Sequence, residues 1–182
     1  MSPMISIVTT ASEYQACVAV RAAAFISRGE PYSEEFDGND FVCATHLLAT
    51  IDKEPVGTLR IRLLSADDGG VAVWERLAVA PAARRGPAII NSLANHARAY
   101  TLFKGCQTVI GAVADPRLLA FWKKRGFVET GNPPVVYNNV SYKQVQLRLV
   151  PMSASVDLHD ASQAEANRFA ETALEQVKPL PK

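Results

Sequence analysis

The sequence has no apolar run that approaches the length of a membrane span. A membrane-spanning helix needs about 18 or more consecutive apolar residues, and no stretch of this chain reaches that length. The opening segment, MSPMISIVTT, also lacks the basic region and the apolar stretch of a secretory signal. We therefore expect a cytoplasmic protein that does not work at a membrane.

The sequence also has few cysteines, few histidines and a small net charge. The three cysteines are far apart and form no Cys-x-x-Cys pair, which favours a reduced compartment over a disulfide framework. The three histidines share no ligand spacing with them, so no metal site is predicted. The formal net charge is only +1, whereas non-specific binding to nucleic acid needs a clear basic surplus. We expect neither a metal nor a nucleic-acid partner.

The composition that remains is that of a globular protein. Hydrophobic residues make up 48% and charged residues 20% of the 182 positions, and this length favours one domain with a substantial core. Regular patterns extend over residues 1–150, and residues 151–182 form a tail. In the tail, Ser162 and Glu165 have the spacing of a capping box before a modest apolar stripe, so one C-terminal helix is predicted. Three arrangements of that helix are consistent with the sequence: it covers the domain's own surface, it packs on a second subunit in a homodimer, or it is partly frayed.

Hydrophobic periodicity predicts strands that alternate with helices. Thr10 and Glu13 form a second capping box, which starts a helix that runs to about Ile26. Two more helices are predicted over 86–103 and 115–126. The predicted strands are 5–8, 46–51, 56–64, 71–79, 107–114, 127–129 and 140–150. This order indicates an α/β (α+β) fold with a mixed sheet flanked by helices.

The most informative stretch is VAVWERLAVAPAARRGPA, from Val71 to Ala88. Alternate residues from Val71 to Val79 share one face of a strand, and four of these five are apolar. That face is therefore predicted to be core, with Glu75 in its middle. A carboxylate in an apolar row either finds a partner or has a raised pKa.

A short basic loop follows this strand and opens a helix. The loop reads Arg84-Arg85-Gly86-Pro87 before Ala88. A glycine permits close approach of the backbone, and the start of a helix presents free N–H groups at its positive dipole end. The strand, loop and helix together predict an anion site suited to a pyrophosphate.

Several motifs occur in the order that is typical of one family. The motifs are Leu77-x-Val79-x-Pro81, Gly86-x-Ala88, Asp115, Phe121-Trp122 and Gly126-Phe127. Over about residues 5 to 150 they resemble the GNAT-type N-acetyltransferase superfamily. The resemblance implies a mostly antiparallel sheet of six or seven strands. It also implies transfer of an acetyl group from acetyl-CoA to a primary amine of a small molecule or a peptide.

The resemblance also implies which residues hold acetyl-CoA. The N–H groups of Leu77, Ala78 and Val79 would pair with the pantetheine arm and polarise the thioester. The phosphates would lie against the loop and the helix start. The residues implied there are Arg84, Arg85, Gly86, Ala88 and Ile89.

Four positions depart from the family pattern. Ala83 replaces the leading Arg or Gln of the loop, and Pro87 removes one N–H group. Asp115 stands where the family has Asn, and Trp122 where it has Tyr. Both are assigned to the cofactor site by position, although Asp115 is also a sufficient helix N-cap and Trp122 also suits the core. Indole yields no proton near neutral pH, so no general acid is identified.

Glu75 is the candidate general base, acting directly or through a water. Apolar surroundings would raise its pKa towards the neutral range that a base needs. The alternative is a structural ion pair with Arg60, Arg62 or Arg76. Two interpretations also remain for the acidic loop between the first helix and the second strand. It either attracts a cationic amine substrate or is a solvated loop without a functional role. Its carboxylates are Glu30, Glu34, Glu35, Asp37 and Asp40.

Two other functions are consistent with the sequence. One comes from a second resemblance, to acyl-homoserine-lactone synthases, which share the fold and use long acyl chains on a carrier protein. The residues and segments that carry this resemblance are Arg21, Phe25, the acidic loop, TLRIRLL and WER. The other alternative is a non-catalytic acyl-CoA-binding protein. Turnover with acetyl-CoA or with a carrier-bound chain distinguishes these possibilities. The acceptor is not predicted.

Overall fold

The computed structural model describes residues 2–29, 35–65, 69–137 and 139–150, so the predicted tail helix lies outside the described residues. The described chain contains eight strands and three α-helices. The strands are β1 Met4–Ile7, β2 Ala44–Ile51, β3 Glu54–Ser65, β4 Val71–Val79, β5 Thr108–Val113, β6 Val128–Glu129, β7 Val135–Tyr137 and β8 Val140–Arg148. The helices are α1 Ala11–Ala24, α2 Ala88–Phe103 and α3 Pro116–Lys123.

Local sequence signals account for the starts of two helices. The Thr10 hydroxyl accepts a hydrogen bond from the Glu13 N–H at 3.3 Å, and the Glu13 carboxylate accepts from the Thr10 N–H at 3.0 Å. This reciprocal pair is the predicted capping box of α1. Asp115 caps α3 by accepting a hydrogen bond from the Arg117 N–H at 2.7 Å. Both predicted caps are therefore confirmed.

The strands form one mixed sheet. Its order is β1-β2-β3-β4-β5-β8-β6, and β7 pairs with β8. Every pairing is antiparallel except that of β4 with β5. The predicted mixed, mostly antiparallel sheet is confirmed. The sheet has eight strands, one more than the upper limit of the predicted six or seven. The additional strand, β7, has only three residues and directly follows the turn over residues 131–134.

Helices α1 and α2 lie on opposite faces of this sheet. Val79 belongs to the large core cluster together with Ile89 and Leu93 of α2, whereas its neighbour Ala78 packs with Val20 of α1. Successive residues of a strand point to opposite faces, so the two helices are separated by the sheet. Helix α2 lies so close to β3 that a Cβ added to Gly57 would be 2.7 Å from Ile89 Cγ2.

The predicted core face of the central strand is wrong for its first half, whereas Val79 is buried as predicted and Leu77 packs against the core. Ala72 and Trp74 are the buried residues in the first half of β4, while Val71, Val73 and Glu75 are only half-buried. The alternation then reverses at Arg76, which has φ +54°. The register moves from Arg60 opposite Glu75 to Thr58 opposite Ala78, so β4 carries one extra residue. This β-bulge breaks the period-two pattern on which the prediction rested.

Candidate active site

A gap opens between β4 and β5. The two parallel strands pair from Val71 opposite Thr108 to Val73 opposite Ile110, and the pairing stops there although β4 continues to Val79. On its other side, β4 remains paired with β3. In the described sheet, the second half of β4 therefore turns backbone groups towards a space that β5 does not fill.

The alternation of the backbone identifies which groups face this gap. The Ala80 N–H donates to the Val56 carbonyl at 2.9 Å, on the β3 side. Backbone groups of neighbouring strand residues point in opposite directions, so Val79 faces the gap and Ala78 faces β3. Of the three predicted backbone partners of a pantetheine arm, Leu77 and Val79 thus suit the role better than Ala78.

The basic loop leads from the gap to the start of α2. Arg84 Nε donates to the Val79 carbonyl at 3.0 Å, so this side chain folds back on the strand. Arg85 is exposed, and Gly86 has φ +145° with open space where a Cβ would stand. Pro87 is the N-cap residue of α2, which has no side-chain cap. The first-turn N–H groups of Ala88 and Ile89 precede the first intrahelical bond, from the Asn91 N–H to the Pro87 carbonyl at 2.8 Å.

Glu75 lies among arginines. Its Oε2 is 3.2 Å from Arg60 Nη2, and its Oε1 accepts a hydrogen bond from Arg62 Nε. The carboxylate side chain is 22% exposed. The ion pairs proposed with Arg60 and Arg62 are confirmed, and the apolar surroundings expected for Glu75 are not found. The bulge at Arg76 separates this carboxylate from the gap-facing backbone of Leu77.

A buried network of charges lies behind Glu75. Asp40 Oδ1 accepts hydrogen bonds from Arg21 Nη1 at 2.7 Å and from Arg60 Nη1 at 2.8 Å. Arg21 also pairs with Glu35, and Arg21 and Arg60 are both 0% exposed. We refer to Arg21, Glu35, Asp37, Asp40, Arg60, Arg62, Glu75 and Arg76 as the arginine–carboxylate network. The solvated acidic loop is therefore wrong for Glu35 and Asp40, whereas Glu30 and Glu34 lie outside the described residues.

The network lowers the pKa of two of its carboxyl groups, those of Asp37 and Asp40. Burial alone would raise the pKa of Asp40, but the hydrogen bonds from Arg21 and Arg60 outweigh burial and lower it. The pKa of Asp37 is likewise lowered, because hydrogen bonds from Arg60 and Asn39 outweigh its desolvation. Sequence reasoning missed this network. The available signal was that Arg60 and Arg62 alternate with Leu59 and Ile61 and therefore share the opposite face.

The remaining predicted site residues have structural roles. Trp122 is only 7% exposed and packs edge-on against Phe127 and Trp74, with ring centroids 5.2 and 6.0 Å away. Asp115 is exposed and caps α3. Ile89 is 4% exposed, so only its backbone is available to a ligand.

No cluster of three or more His, Cys, Asp or Glu side chains in the described ranges is arranged to hold a metal ion. Nor does any helix of those ranges combine the length and the apolar character that a membrane span requires.

Known structures share this fold. An acyl-CoA N-acyltransferase from Pseudomonas aeruginosa is 23% identical with a TM-score of 0.66, and the match covers 80% of this chain and 99% of that one. FeeM, an N-acyl amino acid synthase from uncultured soil microbes, is 16% identical with a TM-score of 0.69, over 81% and 91%. A GNAT family acetyltransferase from Elizabethkingia anophelis with acetyl-CoA bound is 14% identical with a TM-score of 0.61, over 81% and 99%. At these identities the likeness concerns the fold alone.

Sequence comparison identifies the family. No curated protein matched the sequence. The family model described as "Acetyltransferase (GNAT) family" matches residues 14–127, which include most of α1, the arginine–carboxylate network, the β4–β5 gap and the basic loop. The chain therefore belongs to the GNAT acetyltransferase family and is an acyltransferase.

Proposed function

We propose that this protein transfers an acetyl group from acetyl-CoA to a primary amine of a small molecule or a peptide in the cytoplasm. The observation that carries the proposal is the gap between β4 and β5, which leads directly to the uncapped start of α2. The GNAT family uses acetyl-CoA, and a protein of the same fold holds it. In the gap, the Val79 and Leu77 N–H groups would hold the pantetheine arm, and the start of α2 would hold the phosphates.

The reaction is a direct acyl transfer. The amine nitrogen attacks the thioester carbonyl carbon, the carbon–sulfur bond breaks, and CoA leaves as a thiolate that takes up a proton. Backbone N–H groups aimed at the carbonyl oxygen stabilise the negative charge that develops there. The attacking nitrogen must lose a proton, and Glu75 is our candidate for the group that accepts it, directly or through a water. Its partial exposure beside the bulge supports this role.

Donor binding is the first test of the proposal. A ligand that binds only the folded protein stabilises it by about 2.7 kcal/mol at a hundredfold excess over Kd. We therefore expect acetyl-CoA to raise the melting temperature clearly in a thermal-shift titration. The absence of any rise would contradict the proposal. A rise without turnover across a panel of amines would favour the non-catalytic acyl-CoA-binding alternative.

The role of Glu75 is tested by the substitution Glu75→Gln. Loss of a general base lowers kcat by about 10²- to 10⁴-fold, and we expect this loss with little change in the Kd of acetyl-CoA. Glu54→Gln, at an exposed position at the start of β3, is the matched control. Because Glu75 also pairs with Arg60 and Arg62, the melting temperature is measured in parallel. Unchanged turnover would remove Glu75 as the base, and a large fall in stability would assign it a structural role.

A longer acyl donor is the second candidate. The arginine–carboxylate network contains Arg21, Asp40 of the acidic loop and the arginines of the TLRIRLL segment, which belong to the longer set of residues that resembles acyl-homoserine-lactone synthases. The shared fold of FeeM, an N-acyl amino acid synthase, also supports this candidate. Initial rates with acetyl-CoA, a long-chain acyl-CoA and a long acyl chain on a carrier protein distinguish the two. Turnover confined to the long chains would favour the second candidate.

A further inference from the structure

We propose that Arg125 is an additional binding residue for the donor, contacting the pyrophosphate of acetyl-CoA. This inference rests on the proposed function. Arg125 lies in the turn after α3, where its N–H donates to the Trp122 carbonyl at 2.9 Å. Its guanidinium carbon is 3.8 Å from the centroid of the Phe121 ring, and its Nη2 donates to Asn91 Oδ1. Two contacts from different helices thus hold the guanidinium in one orientation.

The contact with Asn91 places this cation at the start of α2. Asn91 is the fourth residue of the helix. Helical side chains tilt towards the N-terminus, so the Asn91 amide lies beside the first turn. The Arg125 guanidinium, which donates to the Asn91 amide oxygen, is therefore brought to the N-terminal end of α2, where Ala88 and Ile89 have free N–H groups.

The charge of Arg125 is not balanced within the described residues. No carboxylate forms an ion pair with it there, whereas its neighbour Lys123 pairs with Glu129. Arg125 is half-buried, and desolvation lowers its pKa. A partly desolvated cation without a counter-ion, beside the positive end of a helix dipole, is unfavourable. An anion between the two would stabilise both.

The basic loop itself has fewer donors than the family pattern provides. The leading cationic or amide position is Ala83, and Pro87 has no N–H group. Arg84 already donates its Nε to the Val79 carbonyl. A guanidinium is planar and carries several donors, which suits it to the oxygens of a phosphate. Arg125 thus supplies, from the turn after α3, donors that the loop lacks.

The test compares donors with and without phosphates. The Kd values of acetyl-CoA and acetyl-3′-dephospho-CoA are measured by calorimetry, and that of S-acetylpantetheine by ligand-observed NMR. A charged hydrogen bond corresponds to about 10- to 100-fold in affinity. We expect Arg125→Gln to raise the Kd of both nucleotide donors by about this factor and to leave S-acetylpantetheine unchanged. Lys124→Gln, which removes an exposed neighbouring charge, should leave all three unchanged.

The other outcomes overturn the inference. Equal losses for all three donors would mean that Arg125 is structural, and no loss would mean that it is not a ligand. A loss confined to acetyl-CoA would move the contact to the 3′-phosphate. If Arg125→Gln does not fold, Arg125→Lys, which keeps the charge without the planar donors, should weaken only the two nucleotide donors. Failure of the unaltered protein to bind acetyl-CoA would instead overturn the proposed function, and this inference with it.

Discussion

Asp40 connects more of the active-site region than any single sequence motif suggests. Its carboxylate holds Arg21 of α1 and Arg60 of β3, and the Tyr14 hydroxyl donates to it at 3.0 Å. The same Arg60 pairs with Glu75 of β4. Desolvation and the Asp40 charge raise the pKa of Tyr14 to about 12, so this hydroxyl stays a donor at neutral pH. Asp40 therefore links α1 directly to β3 and, through Arg60, to the candidate base Glu75 on β4.

The substitution Asp40→Asn tests this connection. Removing one charge of a buried pair while its partners stay costs about 3 to 5 kcal/mol, and here two buried guanidinium groups would remain. We expect a loss of about 3 kcal/mol or more in the free energy of unfolding, measured by urea denaturation. Asp52→Asn makes the same change in the exposed β2–β3 turn and should be nearly neutral. Equal, small effects of both would contradict the importance of the network.

At the scale of elements, the bulge in β4 and the end of its pairing with β5 make the site. The bulge changes which side chains face α1 and α2, and it lies between Glu75 and the gap-facing backbone of Leu77. Helix α2 starts at Ala88, after the basic loop that leads from the gap. Its position depends on close contact with β3, because Ile89 of its first turn lies against Gly57.

The substitution Gly57→Ala should weaken donor binding indirectly, because it should displace the first turn of α2. The new methyl group would meet Ile89 Cγ2 at 2.7 Å and the Ala78 carbonyl oxygen at 3.3 Å. Overpacking of this kind costs about 1 to 3 kcal/mol, and a shift of the first turn should weaken acetyl-CoA binding. Urea denaturation and calorimetry measure the two effects.

A second substitution shows whether the contact with Ile89 is the cause. Ile89→Ala removes Cγ2, so it should destabilise the Gly57→Ala variant less than it destabilises the unaltered protein. Ala112→Val, which adds bulk at an exposed site of β5, is the control and should have little effect. Strictly additive effects at residues 57 and 89 would show that α2 does not depend on this contact.

At the scale of the whole molecule, stability should fall with acid in two stages. Burial lowers the pKa of His46, so its stabilising contribution is present above the unfolded value of about 6.5 and is lost as the pH falls below it. The pKa values of Asp37 and Asp40 are also lowered. Their contribution is present above about 3.9 and is lost as the pH falls towards the folded values.

Urea titrations between pH 7.5 and 3 measure this profile. We expect a shallow decline that starts near pH 6.5 and a steeper one below about pH 4. His46→Gln should remove the first stage, and Asp40→Asn should reduce the second. A profile that stays flat down to pH 3 would contradict a stabilising role of these ionised groups.

Short-range signals in the sequence determined the order of the elements, the helix caps at Thr10 and Asp115, and the family. The residues of each signal lie close together in the sequence, so each signal can be recognised without knowledge of the tertiary contacts. The paired strand β7 was missed because three residues are too few for a periodic pattern.

Only the tertiary structure decided what surrounds Glu75 and which residues face the β4–β5 gap. The bulge at Arg76 depends on the register with β3, and Asp40 meets Arg21 and Arg60 across 19 and 20 positions of chain. Periodicity within one strand carries no information about such pairings. For the same reason, Trp122 matched a family position in the sequence, whereas its packing against Trp74 and Phe127 places it in the core.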